Sequence, residues 1–351
     1  MLTRVLDPDS QALGFTVRWV EELAARLDHL DIICQTHTHP TLPPNVRFYS
    51  MGKERGAGRA AQAWALTRHL RRLVPQADGI FAHMIARYVW FAAPWARLYR
   101  KPILFWYTHR QLSRELRVAD ALATAIMTAA PSSYPLPSDK VHVMGHGIAA
   151  ELFPPAYAED TPPTIVYVAR LSRIKRQDYL LRAMAQVARQ TDVGAFRVAI
   201  IGGPMPQYPD YPAELEALAS ALPPSAQVHF TGALPRPQAA EWVRGGALAV
   251  NLSPPGLFDK AALEAMLTAK PVVVTNADFL PLLGDTADLL YVPYDAPPQA
   301  LAERLGRLLR MSPAERAAIG QKLRERALEA HALEGLMDRM VQLMRELARD
   351  E

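Results

Sequence analysis

Residues 256–275 read GLFDKAALEAMLTAKPVVVT. A loop ends at Asp259, a short amphipathic helix carries Lys260 and Glu264, and an apolar strand, 271–275, follows at once. That order is the latter part of a β-loop-α-β unit. Such units place ligands at the carboxyl ends of their strands and at helix N-termini, where open N–H groups and the helix dipole favour anions. A carboxylate one turn inside the helix suits a ribose diol, and a lysine beside it suits a phosphate. Two plainer readings stand next to this one. Asp259 can be an N-cap and nothing more, and Lys260 with Glu264, four apart, can be a surface ion pair.

Working outward, short apolar runs alternate with amphipathic helical segments along the whole chain. Strands are predicted at 2–6, 30–35, 46–49, 79–82, 102–107 and 141–144, and again at 164–168, 196–201, 227–230, 247–252, 271–275 and 289–292. Helices are predicted between most of them, at 16–27, 56–73, 177–189, 212–221 and 237–244. The alternation implies parallel sheets with right-handed crossovers, occurring twice. At 351 residues the chain is also too long for one ordinary core. Proline is enriched, at 30 residues against a usual share of about 5%. The cluster Pro154, Pro155, Pro162 and Pro163 breaks both helix and strand and is the expected linker. The expected domains are therefore 1–155 and 156–330, with 331–351 as a C-terminal helix packing back on the first. Leu333, Leu336, Met337, Met340, Met344 and Leu347 recur there at helical spacing as a packing stripe.

Composition narrows the setting. Half the residues are hydrophobic and 21% are charged, a normal globular balance. The single cysteine, Cys34, cannot pair within the chain, which fits a reducing compartment. The opening MLTRVLDPDS holds no apolar signal core. The most membrane-like stretch, 88–96, is short, contains Pro94 and cannot span a bilayer. A cytoplasmic location is expected, with peripheral attachment at the inner membrane face as an open alternative. Arg59, Arg68, Arg71 and Arg72 cluster with Trp64 in one predicted helix, and Arg87, Arg97, Arg100 and Lys101 mix with Trp90, Phe91, Trp95 and Tyr99. Basic residues among aromatics suit an anionic lipid surface; a solvated helix face over an ordinary core explains them as well. No nucleic-acid motif is present, so nucleic acid is not an expected partner.

Two further stretches carry chemistry. In Tyr167-Val-Ala-Arg-Leu-Ser-Arg-Ile-Lys175 a strand ends near Ala169, and Arg170 and Lys175 sit five apart across a turn. Leaving a strand's carboxyl end, both cations can converge on one diphosphate. In Val198-Ala-Ile-Ile-Gly-Gly-Pro204 a strand runs into Gly202 and Gly203, which admit close backbone approach.

Read together, the second half resembles the nucleotide-binding domain of GT-B glycosyltransferases, specifically retaining family four (glycosyl transferases group 1). The family's Gly-Arg-Leu, Ser, Lys pattern is matched by Ala169-Arg170-Leu171-Ser172 and Lys175, and its strand ending in glycines by Gly202 and Gly203. A Val-x-Phe-x-Gly segment is matched by Val228, Phe230 and Gly232. Leu263-Glu264-Ala265-Met266, a short gap and Lys270-Pro271-Val272-Val273 close the series in order and spacing. The likeness covers roughly 140–345. It implies that Arg170 and Lys175 hold the donor diphosphate and offset its charge as the nucleotide leaves, doing the work of a metal ion. It also implies that Glu264 holds the ribose hydroxyls and that backbone N–H groups around Lys260 to Ala262, Ala261 among them, face phosphate. One position departs from the family: a second glutamate is usual eight residues before Glu264, and here that position is Gly256. Asp259 and Lys260 then stand where they can take over sugar or phosphate contacts.

The first half matches the family's acceptor domain more loosely. Gly14 lies between the first strand and helix, where the family has a glycine loop against the donor. His109, closing Tyr107-Thr108-His109, occupies a place where the family often has a histidine near the transferred sugar, and His83 is a second candidate for sugar or acceptor contact. A lone histidine is also a common structural residue. His146-Gly147-Ile148 resembles a family turn with Ala149 in place of its aspartate, and reads as structural. The first strand has a short apolar start, Met1-Leu2 before Thr3 and Arg4, so either the strand is short or its beginning lies upstream.

The fold expected is α/β, with two Rossmann-like GT-B domains facing across a cleft. The function expected is retaining, metal-independent transfer of a sugar from a nucleotide diphosphate donor to a saccharide or lipid-linked acceptor, with no cofactor beyond the donor itself. The second half holds no Asp-x-Asp metal motif; the triplet Asp7-Pro8-Asp9 lies just after the first strand. The alternatives are a degenerate nucleotide-sugar-binding partner subunit and a GT-B nucleotide-sugar epimerase.

Overall fold

The computed structural model describes residues 1–8, 10 and 14–349. The chain divides into two compact units, Met1–Ala149 with His331–Glu351, and Ala150–Ala330.

The first unit is built on seven strands: β1 (Leu2–Leu6), β2 (Leu30–His37), β3 (Val46–Ser50), β4 (Ile80–His83), β5 (Ile103–Trp106), β6 (Ala125–Thr128) and β7 (Val141–Val143). They pair in parallel in the order β3-β2-β1-β4-β5-β6-β7. Because side chains alternate between faces along a strand, the sheet sorts its apolar residues into two cores. Ile32, Cys34, Phe81, Leu104, Trp106 and Met127 lie on one face with Trp19 and Val20 of helix α1 (Phe15–Ala24) and with the C-terminal helix Leu333–Arg349. Leu2, Ile33, Ile80, Ala82, Ile103, Phe105 and Ile126 lie on the other, under α2 (Arg59–Leu73), α3 (Ala86–Tyr99) and α4 (Arg114–Leu122). The apolar stripe of the C-terminal helix is thus a core face, with Leu333, Leu336, Met337, Met340 and Val341 buried.

The chain returns to this unit by a backbone clasp. The Ile148 N–H donates to the His331 carbonyl at 2.8 Å and the Leu333 N–H to the Ile148 carbonyl at 3.0 Å, while His331 Nδ1 accepts the His146 N–H at 3.1 Å. Gly147 between them adopts φ +64°, and a Cβ there would come within 2.5 Å of Leu336 Cδ2, so the His146-Gly147-Ile148 turn is a packing feature. Burial lowers the His331 imidazole to about 4.

The second unit has five parallel strands: β8 (Thr164–Val168), β9 (Phe196–Ile201), β10 (Ala226–Gly232), β11 (Leu248–Asn251) and β12 (Val272–Val274), in the order β10-β9-β8-β11-β12. The helices are α5 (Gln177–Val187), α6 (Tyr211–Ser220), α7 (Arg236–Gly245), α8 (Lys260–Leu267), α9 (Leu280–Leu283), α10 (Ala287–Leu290), α11 (Pro298–Arg310) and α12 (Pro313–His331). The strand order reverses between β8 and β11. In open α/β sheets that is where ligands bind, beyond the carboxyl ends of the strands.

Three expectations are corrected. Residues 289–292 do not form a strand. Leu289 and Leu290 belong to α10, and only Tyr291 bridges to Val274, since a short apolar run does not distinguish a buried helical turn from a strand. Strand β6 was not expected, because Ala125-Ile-Met-Thr128 is a short apolar run that periodicity alone does not separate from the end of the preceding helix. The proline cluster lies inside the second unit, whose first residue is Ala150, six residues before the expected boundary. Among the described residues no helix is long and apolar enough to cross a membrane; the apolar stretch 88–96 is the middle of α3.

Candidate functional site

Two loops meet at the switch point of the second sheet. Tyr167, one residue from the end of β8, is fully buried. Its hydroxyl donates to the Lys175 carbonyl and accepts the Leu252 N–H at 3.4 Å. One side chain therefore fastens the 3-10 turn Arg173–Lys175 to the end of β11. Burial raises this phenol well above its ordinary value, so it stays protonated as a donor. Gln177, buried at the start of α5, secures the preceding residues: its Nε2 donates to the Arg170 carbonyl at 3.0 Å and its Oε1 accepts the Ser172 N–H at 3.4 Å. The Arg170 residue itself is exposed.

Held this way, Lys175 reaches across to the loop after β11. Its Nζ donates to Ser253 Oγ at 2.9 Å and to Asp259 Oδ2, with which it forms an ion pair. The Ser253 hydroxyl donates to the same Asp259 oxygen at 3.0 Å, and the Thr275 hydroxyl, after β12, donates to the Ser253 carbonyl at 3.0 Å. Asp259 Oδ1 accepts the Ala261 N–H at 3.4 Å and caps α8. Burial alone would push the Asp259 carboxyl up; the Lys175 charge, with hydrogen bonds from Lys175 and Ser253, outweighs that and holds it below its ordinary value. Asp259 is thus the N-cap the plainer reading proposed and, in addition, the counter-ion of Lys175.

Farther into α8, Glu264 pairs with Arg236 at the first position of α7. Burial raises the Glu264 carboxyl above its ordinary value, against the lowering effect of Arg236. Burial also lowers the Lys260 ammonium to about 8, with Glu264 opposing. The three residues of the opening stretch therefore take separate parts: Asp259 binds Lys175, Glu264 binds Arg236, and Lys260 stands half-buried on the first turn.

Gly202 and Gly203 lie where β9 ends. A Cβ on Gly202 would sit 2.0 Å from the Ala169 carbonyl oxygen, and the Gly202 N–H is already donated to the Gly232 carbonyl at 2.9 Å. What this glycine admits is the neighbouring loop of the chain itself. Gly203 accepts the Leu171 N–H at 2.9 Å and so braces the Arg170 loop. Gly256 has φ +82°, in the left-handed region.

Gly14, His83 and His109 belong to the first unit. Gly14 caps the start of α1, where a Cβ would come within 2.5 Å of the Pro8 carbonyl oxygen. His83 ends β4 and is buried among Phe15, Trp19 and Phe81, with Nδ1 3.2 Å from Thr3 Oγ1. His109 is exposed on the loop after β5, edge-on to Tyr107. The sequence reading missed Tyr167, Gln177, Arg236 and Ser253. Only Ser253, just beyond a strand's carboxyl end, carried a signal that position could have revealed. Among the described residues no group of three or more His, Cys, Asp or Glu is arranged to hold a metal ion.

Comparison with known proteins agrees with this geometry. Residues 162–311 match the family described as glycosyl transferases group 1. The chain is 29% identical over 193 residues to D-inositol 3-phosphate glycosyltransferase 1 of Catenulispora acidiphila, covering 52% of this chain and 44% of that one. It is 28% identical over 244 residues to the MMP alpha-(1->4)-mannosyltransferase of Mycolicibacterium hassiacum, covering 67% and 56%. The chain thus spans about half the length of these relatives. Among solved structures, Anabaena HepE in complex with UDP superposes with a TM-score of 0.72 at 16% identity, over 99% of this chain and 100% of that one. Sucrose-phosphate synthase of Thermosynechococcus elongatus superposes with a TM-score of 0.70 at 20% identity, over 100% of both chains. At these identities the likeness shows the fold: two Rossmann-like domains of the GT-B type.

Proposed function

We propose that this chain, whose residues 162–311 match the glycosyl transferases group 1 family, moves a sugar from a nucleotide diphosphate donor to a saccharide or lipid-linked acceptor. The observation that carries the reading is the convergence of Lys175, Ser253 and Asp259 on the switch point between β8 and β11, with Glu264 one turn inside the adjoining helix. When the bond from the anomeric carbon to the diphosphate oxygen breaks, negative charge grows on the diphosphate. Lys175, with Arg170 from the same loop, would receive it, and preorganised charge of this kind lowers the barrier directly. Their two charges supply what a divalent cation would, so the reading includes no metal, and retention at the anomeric carbon follows from the family resemblance. Glu264 would take the ribose hydroxyls, with Arg236 fixing its carboxylate. Binding of UDP by the Anabaena structural neighbour accords with a nucleotide donor. The single buried cysteine accords with a reducing, cytoplasmic setting.

A second reading, a nucleotide-sugar binder without turnover, is favoured by Gly256 alone, which removes an acidic group the family uses. One experiment separates the two. Donor consumption is measured with a panel of nucleotide diphosphate sugars, with and without sugar and polyprenyl-phosphate sugar acceptors, for the native chain and for Lys175→Ala. Acceptor-dependent release of nucleoside diphosphate that falls by two or more orders of magnitude in Lys175→Ala is the expected result. Donor binding without turnover on any acceptor would establish the second reading, and an altered sugar product without acceptor would indicate an epimerase.

A further inference from the structure

The helical layer α2–α3–α4 of the first unit has an outer face that the donor-site reading does not use. Between residues 59 and 122 eleven Lys and Arg side chains stand against three Asp and Glu, a formal excess of +8, while the whole chain carries +4. The rest of the molecule is therefore net acidic, and the basic charge is concentrated on one segment. Helix α2 contains no acidic residue. At 100° per residue, Trp64, Arg68, Arg71 and Arg72 share one exposed stripe, opposite the buried Leu66 and Leu70. Trp64 is 65% exposed and the Arg68 guanidinium lies 5.0 Å from its ring centroid.

The neighbouring helices continue the pattern. Leu98 at the end of α3 is 65% exposed beside the exposed Arg97 and Arg100, and Val118 and Leu122 of α4 are exposed beside Arg114 and Arg117. The two acids on these elements, Glu115 and Asp120, both lie on α4, where Glu115 is paired with Arg87 and Asp120 accepts the Tyr134 hydroxyl, and α2 carries none. All three helices cover the same face of the sheet, with α3 packed against both others, so these side chains point away from it together.

We infer that this layer is a docking face for an anionic lipid bilayer. Charge complementarity selects an anionic partner, and the apolar side chains select a membrane among anionic partners. Trp64, Leu98, Val118 and Leu122 gain nothing against a hydrated phosphate backbone, but enter the boundary between headgroups and acyl chains favourably. The arginines would meet the headgroups while Trp64 sits at the interface, where an amphipathic ring is at home. The inference does not depend on the donor site, and it fails or stands apart from it.

The test is sedimentation of the full chain with vesicles of phosphatidylcholine alone and of phosphatidylcholine with phosphatidylglycerol. Binding is expected only to the anionic vesicles and should weaken steeply with salt. With about 1 kcal/mol per cation at such a surface, R68Q/R71Q/R72Q should lower the partition by on the order of a hundredfold. W64A, which changes no charge, should lower it severalfold. All four positions are exposed, so circular dichroism should be unchanged and nucleotide affinity should stay at the native value. Equal binding to both vesicle types, or a triple variant that partitions like the native chain, would overturn the inference. So would tighter binding to duplex DNA than to anionic vesicles, which would reassign the face to nucleic acid.

Discussion

Replacing Asp259 by Asn tests whether the carboxylate under Lys175 holds the place of a donor phosphate. Asn caps helices as well as Asp does, so the bond to the Ala261 N–H survives and the change isolates the charge. Lys175 and Asp259 are 17% and 22% exposed. A contact pair at an effective dielectric near 20 attracts by about 4 kcal/mol. Exposed pairs return roughly 0–1 kcal/mol of that as stability, and breaking a fully buried pair costs roughly 3–5 kcal/mol. This pair lies between those limits, so Asp259→Asn should cost about 2 kcal/mol. For a unit of this size that is a fall in Tm of roughly 4–8 °C.

Ligand binding should change in the opposite sense. In the native chain a diphosphate must displace Asp259 from Lys175 before it can pair there. With the competitor gone, nucleoside diphosphate affinity should rise about tenfold, equivalent to about 1.4 kcal/mol. Saturating UDP should then restore more of the Tm in Asp259→Asn than it adds to the native chain. Differential scanning fluorimetry with a UDP titration, backed by calorimetry, reads both quantities. A Tm that does not move together with UDP affinity that stays level or falls would refute the argument. Loss of affinity for the nucleotide sugar alone, with UDP unaffected, would instead assign Asp259 to the sugar.

Tyr167→Phe removes the hydroxyl shared by the Lys175 carbonyl and the Leu252 N–H; buried groups left unpaired cost about 1–3 kcal/mol, and turnover should fall more than nucleotide affinity because the Lys175 turn is released from β11, as steady-state kinetics beside calorimetry would record. Gly202→Ala places a Cβ on the Ala169 carbonyl oxygen, so it should lower Tm, by roughly 1–3 kcal/mol of overpacking, and should reduce soluble yield before any binding effect is read. Lys260 is charged below about 8; if it faces phosphate, nucleotide affinity should decline as pH rises through that value, and the decline should flatten in Lys260→Arg. The sign for stability is the reverse: the unfolded chain, with its ordinary lysine value of 10.5, binds more protons between about 8 and 10.5, so folding stability attributable to Lys260 rises with pH over that interval, a trend that chemical denaturation at a series of pH values would follow.

Much of this site was legible because it obeys local rules. Lys175, Asp259 and Glu264 each sit at a fixed offset from a strand end or helix start, and the sheet order then brings those ends together. Arg236 was not legible, because its partner Glu264 is 28 residues away and nothing near it marks a pair. Tyr167 reads as one more apolar residue of a buried strand; only the structure shows its hydroxyl aimed along the sheet at two backbone groups. His83 illustrates the opposite case. A histidine at a strand's carboxyl end invites a catalytic reading, yet the aromatic neighbours that enclose it come from α1 and its own strand, and their convergence is tertiary. Gly202 drew attention as a ligand glycine for a sound steric reason, but the backbone it makes room for is the chain's own.

Gly256 gains a meaning from the conformation of its loop. The Leu257 N–H donates to the Pro254 carbonyl at 3.1 Å, closing a turn, and Gly256 within it takes φ +82°. A side chain there would carry a left-handed penalty of about 1–2 kcal/mol, so the glutamate of the family pattern is disfavoured by the backbone itself. The turn delivers Phe258 onto Phe279, stacked with centroids 4.2 Å apart. With Phe258 buried there, Asp259 falls at the first turn of α8 within reach of both Lys175 and Ser253. The loop that gives up an acidic group at Gly256 therefore sets another one down three residues later, against the lysine proposed to receive the diphosphate. On the proposed reading, the departure from the family pattern is a relocation of negative charge within the same loop, fixed by one glycine and one aromatic pair.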